Sequence, residues 1–425
     1  MKKILFSFVA CSTILFSQET PARSGPTLAI LPSTVELNGP EARQQLLAEA
    51  TIDGYQQDWT RATAWSSSNP SVVKVDARGM LLPAGDGTAV VTAVKDGLKA
   101  KVDVQVNGSN APFTWSFKNH VIPVLTKAGC NQGACHGALA GKNGFKLTLR
   151  GYDPAVDYDT LTRQSTARRI SLAEPASSLM LLKPTMAVGH GGGKRFDPGS
   201  LEYRVIGEWI AAGTPPPVPS DKGVVSLEVF PKQATLKPGN EQQLVVRAKY
   251  SDGSISDVTR WVKYSSNNEG VATVDENGLV KMTGNGEAAV TLWYSSRVLY
   301  STMTSPHPNK VAPELYSQFP RKNYIDDLVV AKLKSLNIAP SEMADDATFI
   351  RRAYLDAAGI LPTSEEVELF LADKTPGKRQ KMIDRLLERE EFVDYWAYKW
   401  SDLMLVSSRK LRPSSMWAFY NWIRD

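Results

Sequence analysis

Cys130 and Cys135 are separated by four residues, and His136 directly follows the second cysteine. Two closely spaced thiols can form thioether bonds with the two vinyl groups of a haem, and the adjacent histidine would then lie under the iron. The usual attachment motif has two residues between the cysteines, so this loop is longer. Gly133 and Ala134 leave little side-chain bulk in it. The pattern indicates covalent attachment of one haem c.

Two other chemistries remain open for these residues. In an oxidising compartment Cys130 and Cys135 could close a small loop as a disulfide, which would leave His136 as an ordinary surface residue. A zinc site is the second alternative, although the three side chains supply at most three ligands at a spacing that fits no common finger.

A low-spin haem needs a sixth ligand, and the segment 183–196 offers both Met186 and His190. Glycines 191–193 would let the chain pass close to a flat cofactor. Lys194 and Arg195 could pair with the haem propionates. The same stretch can be read as a flexible loop. A phosphate-binding loop is disfavoured, because the Ser or Thr that follows such loops and the strand that precedes them are missing.

The N-terminal residues 1–22 have the features of a secretory signal peptide: two lysines, an apolar run and small residues near Ala22. The apolar run is too short to span a bilayer and no later run is longer, so we expect no transmembrane segment in the mature chain. A lipid anchor at Cys11 stays open. The expected location is the periplasm or the cell surface.

The chain has 425 residues and a formal net charge of +5, with basic and acidic residues interleaved. That length predicts several domains. The charge pattern contains no basic stripe, so we expect no nucleic-acid partner.

An internal repeat runs through residues 24–107 and 224–305. Residues at a constant offset match, among them Pro32 with Pro231, Asp53-Gly54 with Asp252-Gly253, Val75-Asp76 with Val274-Asp275, and Gly79 with Gly278. Short alternating apolar segments bounded by turn residues predict a small β-sandwich for each copy. Through Ser66–Gly79 and Ser265–Gly278, both copies resemble the bacterial immunoglobulin-like group 2 domain, a family of extracytoplasmic spacer or adhesion modules.

The segment 112–213 has a different sequence pattern from the two repeats and is followed by a proline-rich linker, 214–223. Apolar spacing predicts one helix through Phe117, Val121 and Leu125, and another through Leu201–Ile210 that ends near Gly213. Residues 320–425 are predicted to be helical, with helix caps at Asn323, Asp345 and Thr363. We expect this region to be only part of its domain.

The segment from Val121 to Ala212 resembles the planctomycete-type cytochrome c domain. The similarity lies in Lys127–Gly137, Leu182–Thr185, His190–Phe196 and Glu208–Gly213. This resemblance implies haem c, with His136 as the proximal ligand and His190, rather than Met186, as the distal ligand. Residues 320–425 resemble the uncharacterised helical domain that follows the cytochrome in large planctomycete exported proteins.

The predicted fold class is therefore multidomain: two all-β immunoglobulin-like sandwiches flank a mainly α cytochrome c-like domain, and an α-helical C-terminal region follows. The leading hypothesis is one-electron transfer with an unknown redox partner protein, the sandwiches acting as spacers. One alternative is a haem-free adhesion or carbohydrate-associated scaffold with a Cys130–Cys135 disulfide and a polysaccharide or cell-surface ligand. Another is a haem enzyme with an open iron position.

Overall fold

The computed structural model describes residues 27–165 and 168–425. The predicted signal peptide, 1–22, and Cys11 lie outside the described residues. The chain divides into two units, Met1–Ile338 and Ala339–Asp425. All the predicted haem-site residues belong to the first unit.

The first copy of the repeat forms a β-sandwich. Its strands are β1 Thr27–Leu31, β2 Thr34–Asn38, β3 Gln44–Gln45, β4 Leu47–Ile52, β5 Tyr55–Asp58, β6 Ala64–Ser67, β7 Val73–Val75, β8 Met80–Pro83, β9 Gly87–Lys95 and β10 Leu98–Asn107. They pair in the orders β1-β4-β5, β2-β10-β9-β6 and β3-β8-β7. Strands β2 and β10 run parallel, and the other pairs are antiparallel. Alternate residues of β10 point inward, with Val102, Val104 and Val106 fully buried.

The second copy has the same strand order. Its strands are β11 Val224–Phe230, β12 Gln233–Thr235, β13 Glu241–Gln243, β14 Val245–Tyr250, β15 Ile255–Asp257, β16 Lys263–Ser266, β17 Ala272–Val274, β18 Leu279–Met282, β19 Gly286–Tyr294 and β20 Arg297–Ser305. They pair as β11-β14-β15, β12-β20-β19-β16 and β13-β18-β17. The duplication seen in the sequence is therefore a duplication of one sandwich topology.

The two sandwiches contact each other reciprocally. The backbone N–H of Gln45 donates to Asp257 Oδ2 at 2.6 Å, and the N–H of Gln243 donates to Asp58 Oδ2 at 2.8 Å. Gln45 and Gln243 end equivalent strands, as do Asp58 and Asp257. The same patch of each copy thus binds the other, as in a symmetric dimer.

The segment between the sandwiches contains short helices joined by long turns. A π-helix spans Phe117–Val121, and the α-helices are α1 Ile122–Lys127, α2 Pro154–Thr162, α3 Leu179–Leu182 and α4 Leu201–Ala211. Ser200 caps α4 through a hydrogen bond to the Tyr203 N–H. Both helices predicted from apolar spacing are present, although the first begins as a π-helix.

The prediction of a mainly α cytochrome c-like domain between the two sandwiches is wrong. The α-helices make up less than a third of residues 112–213. The buried side chains of this segment, such as Phe117, Leu125 and Trp209, also belong to the same hydrophobic core as Val246 and Tyr294 of the second sandwich. Glycine-rich turns interrupt the helices, and the segment has no core of its own.

Two helices follow the second sandwich within the first unit, α5 Pro313–Ser317 and α6 Tyr324–Ser335. The second unit is helical: α7 Asp346–Ala358, α8 Ser364–Ala372, α9 Lys378–Leu387, α10 Glu390–Leu403 and α11 Pro413–Arg424. The predicted caps at Asn323, Asp345 and Thr363 are confirmed, two of them as complete capping boxes. Among the described residues, no helix is both long enough and apolar enough to cross a bilayer.

Candidate functional site

The cysteine loop leaves α1 and folds back on itself. The N–H of Cys130 donates to Leu125 O at 2.8 Å, and the N–H of His136 donates to Cys130 O at 3.0 Å. Asn131 is fully buried, and its Nδ2 donates to Thr126 Oγ1 at 2.8 Å. These bonds fix the backbone on which both cysteines and His136 are carried.

Gly137 lets the loop close. A Cβ at this position would lie 2.2 Å from the carbonyl oxygen of Asn131, a distance that no side chain tolerates. Just beyond it, the N–H of Leu147 donates to His136 O at 2.8 Å. The histidine is thus anchored through its N–H on one side and its carbonyl on the other.

The imidazole of His136 is oriented by Phe145. The Nδ1 atom lies 3.0 Å from Phe145 O, and because a carbonyl only accepts, Nδ1 is the protonated nitrogen. The Phe145 ring packs against the imidazole at 4.4 Å between centroids, and the Arg169 guanidinium covers that ring. Burial lowers the pKa of His136. A neutral His136 therefore has a free lone pair on Nε2.

His190 faces His136 from a separate loop. The two ring centroids are 6.4 Å apart and the ring planes differ by only 9°. The Nδ1 of His190 donates to Gly193 O at 2.8 Å, which again leaves Nε2 free. The structure therefore brings together two half-buried imidazoles from positions 54 residues apart, with the same nitrogen free on each.

Glycines fit the His190 loop for two different reasons. Gly193 has a φ of 72°, a left-handed conformation that favours glycine. At Gly192 a Cβ would lie 2.9 Å from His190 Cε1 and 3.2 Å from Nε2, so a side chain would press on the imidazole. Farther along, the N–H of Arg195 donates to Pro184 O at 2.7 Å and holds the loop to the segment after α3.

The two cysteines are half-buried and unpaired. Burial raises the pKa of the Cys130 thiol to about 11. The Nη2 of Arg195 lies 3.6 Å from Cys135 Sγ. The described residues contain no group of three or more His, Cys, Asp or Glu side chains arranged to hold a metal ion.

The other residues predicted for the haem site differ in their surroundings. Lys194 is exposed and forms an ion pair with Asp197. Met186 is also exposed and has a φ of 64°. Arg195, in contrast, lies beside the cysteines.

Sequence reasoning missed several residues of the site. The Phe145 carbonyl is a backbone group, so no residue type indicates its role. Lys263 belongs to β16 of the second sandwich, yet its charge acts on both cysteines, as does that of Arg195. Arg150 covers the ring of Trp293, a β19 residue. Only the tertiary fold brings the second sandwich to the cysteine loop.

Two family models match parts of the chain. Residues 224–294 match the bacterial Ig-like domain (group 2), and residues 324–425 match a protein family of unknown function, DUF1549. These matches confirm a bacterial Ig-like domain and an uncharacterised helical domain. Both models leave residues 112–213 uncovered.

Whole-chain comparisons give distant similarities. Ice-binding protein 1 of Shewanella frigidimarina is 25% identical over 266 residues, 62% of this chain and 27% of that protein. The chain thus spans about a quarter of the length of that curated relative.

Among solved structures, domains 5–6 of the S-layer protein SbsC are 11% identical and cover 66% of this chain and 99% of theirs, with a TM-score of 0.27. The surface-located polysaccharide-binding protein BT4661 of Bacteroides thetaiotaomicron is 9% identical, covering 66% of this chain and 33% of its own, with a TM-score of 0.14. Similarities this weak carry no argument.

Proposed function

We propose that the chain is an exported c-type haem protein that transfers single electrons, with haem c joined to Cys130 and Cys135 and held between His136 and His190. The observation that carries this proposal is the facing imidazole pair, with centroids 6.4 Å apart and planes within 9°. It does not need a cytochrome c fold, because the two imidazoles are brought together from two separate loops.

The spacing of the pair suits two ligands on opposite sides of one metal. Metal–imidazole bonds of about 2.0 Å place two opposite nitrogens about 4 Å apart and their ring centres about 6 Å apart. Directly stacked rings would lie much closer than the 6.4 Å found here. A separation of this size would leave room for one metal ion between the rings, and His136 and His190 are the residues that would hold it.

The hydrogen bonds of the pair support the same role. Metal-binding histidines usually donate the other ring N–H to a carbonyl or carboxylate, which fixes the tautomer and the ring orientation. His136 and His190 both do so, to Phe145 O and Gly193 O. A merely structural histidine pair has no reason to keep the same nitrogen free on both rings.

The cysteines supply the covalent attachment, and Arg195 supplies charge. The thiols of Cys130 and Cys135 lie on the loop that ends in His136, so attachment there places a haem edge beside the proximal imidazole. The guanidinium of Arg195 lies 3.6 Å from Cys135 Sγ, so it would lie at the attachment edge of a haem, opposite the propionates. Lys194 is engaged with Asp197, and we therefore assign no propionate-binding role to either residue.

Electron transfer follows from ligation by two histidines. When bound, haem iron exchanges one electron between its ferric and ferrous states. If His136 and His190 both held the haem iron, this chain would leave no coordination position for a substrate. We therefore favour a carrier over a haem enzyme, and the predicted signal peptide supports work outside the cytoplasm.

The visible spectrum of the protein made together with a cytochrome c maturation system tests this proposal. We expect a low-spin spectrum whose reduced α-band survives denaturation. His190→Ala should become high-spin but keep its haem, while Cys130→Ala/Cys135→Ala should lose it on denaturation.

His307→Ala is the matched control, because His307 lies after the second sandwich, and its spectrum should equal that of the parent. A colourless protein with a Cys130–Cys135 disulfide would instead support the scaffold alternative. A high-spin parent spectrum would support the haem enzyme.

A further inference from the structure

The chain segments that carry the imidazole pair are basic. Residues 128–152 and 175–196 contain six Lys and Arg side chains and no Asp or Glu. Over the whole chain the net charge is only +5, with both signs interleaved. Asp197 directly follows the second segment and pairs with Lys194, so the excess of positive charge lies mainly in the first segment, with Lys142, Lys146 and Arg150.

Tertiary structure adds to the excess. The Arg169 guanidinium, from outside these segments, covers the Phe145 ring, which packs against the His136 imidazole. The Nη2 of Arg195 lies 3.6 Å from Cys135 Sγ. Cations therefore lie beside both the imidazole and the cysteines.

These cations form two groups with different surroundings. Arg195 and Lys263 are half-buried next to the cysteines. Lys142, Lys146 and Arg150 are exposed on the loop that follows His136, and we call these three the cationic rim. The inner pair is shielded beside the cysteines, whereas the rim is exposed to solvent, where a partner can reach it.

We infer that the cationic rim is the docking surface for an acidic redox partner protein. This inference rests on the proposed function, and it names the chemistry of the partner. Complementary charge around a redox centre steers the encounter and raises the association rate. A polyanionic polysaccharide would need an extended basic track, whereas the rim is confined to one loop beside the imidazole pair.

Small oxidants of opposite charge test the rim on the haem-loaded protein. Ferricyanide and hexaammineruthenium(III) each take one electron from the ferrous protein and become ferrocyanide and hexaammineruthenium(II). Because salt screens charge, raising the ionic strength should slow the ferricyanide reaction about threefold or more and speed the ruthenium reaction. Lys142→Gln/Lys146→Gln should weaken both salt dependences.

Binding of a fluorescent polyglutamate peptide gives a second readout, on the Cys130→Ala/Cys135→Ala chain made without a maturation system and freed of haem by denaturation and refolding. The same chain that also carries Lys142→Gln/Lys146→Gln, the rim variant, should bind the peptide several-fold more weakly. Lys99→Gln/Lys101→Gln removes the same charge from exposed positions of β10 in the first sandwich and should match the parent in both assays.

The outcomes separate the two proposals. The proposal of an acidic partner is overturned if the rate with ferricyanide does not depend on salt, or if the parent and the rim variant bind polyglutamate equally. Either result on a protein that takes up haem leaves the proposed haem function intact. Binding of dextran sulfate but not of polyglutamate at the rim would identify a sulfated glycan and also overturn it. A protein that takes up no haem overturns the proposed function and this inference with it.

Discussion

At the scale of single residues, the site depends on backbone contacts that hold two imidazoles in place. Each histidine donates Nδ1–H to a backbone carbonyl farther along its own stretch of chain: His136 to Phe145 O, nine residues on, and His190 to Gly193 O, three residues on. The residue types His136 and His190 could be predicted from the motif. The carbonyls that orient them could not, since any residue supplies one.

Gly192→Ala tests whether the His190 ring needs the free space beside it. The added methyl would meet Cε1 at 2.9 Å, so we expect the imidazole to turn and part of the haem-loaded protein to become high-spin. Gly191→Ala is the matched control, because nothing lies within 4 Å of a Cβ there. Visible spectra of the two variants should differ, and identical low-spin spectra would contradict the assignment of His190.

Gly137→Ala tests the closure of the cysteine loop in the absence of cofactor. A Cβ 2.2 Å from Asn131 O must displace the loop, and we expect a loss of about 1–3 kcal/mol in the free energy of unfolding. Gly133→Ala, with open space around it, should cost less than about 1 kcal/mol. Chemical denaturation measures both, and equal stabilities would show that the loop closes differently.

At the scale of helices and strands, the sequence predicted correctly the features that depend on neighbouring residues. The caps at Asn323, Asp345 and Thr363 and the apolar stripe of α4 were predicted because each depends on residues within one or two turns. The shared core was not predicted, because the stripe through Phe117 and Leu125 looks the same whether its partner is another helix or a β-sheet. The prediction of a mainly α domain was wrong for this reason.

Thr363→Ala tests a cap in the second unit. Thr363 Oγ1 accepts from the Glu366 N–H, and the Glu366 carboxylate accepts from the Thr363 N–H at 2.8 Å. Loss of the hydroxyl should cost about 1 kcal/mol of stability. Thr363→Ser keeps a capping oxygen and should retain most of this stability. Equal melting temperatures of Thr363→Ala and Thr363→Ser would contradict the role of the cap.

At the scale of the whole molecule, the two sandwiches meet around a buried polar pair. Gln242 Nε2 donates to Glu49 Oε1 at 2.5 Å, while Glu49 Oε2 and Gln242 Oε1 are buried without partners. A proton on Glu49 would supply the donor that these two acceptors lack. Burial, and then the neighbouring Asp58 carboxylate, raise the pKa of Glu49 to about 8.

The contribution of Glu49 to stability should therefore fall as the pH rises from about 5 to about 8. The folded-state pKa of Glu49 is above its ordinary value of 4.5, so its contribution is complete below 4.5 and is lost as the pH passes 8. The slope is at most about 1.4 kcal/mol per pH unit. Burial lowers the pKa of His120 to about 4, which gives the opposite slope below about pH 6.5, so the parent is compared with Glu49→Gln at each pH. The stability of the parent relative to Glu49→Gln should fall over this range, and Glu36→Gln, an exposed control, should follow the parent. Parallel profiles of the parent and Glu49→Gln would contradict a protonated Glu49.

The most direct test of the central claim is the mass of the peptide that spans Cys130 and Cys135, isolated after denaturation from protein made with a cytochrome c maturation system. We expect this peptide to carry the added mass of one haem, joined through both sulfurs. A peptide that carries two free thiols or an internal disulfide, with no added mass, would contradict covalent haem attachment and the electron-transfer function built on it.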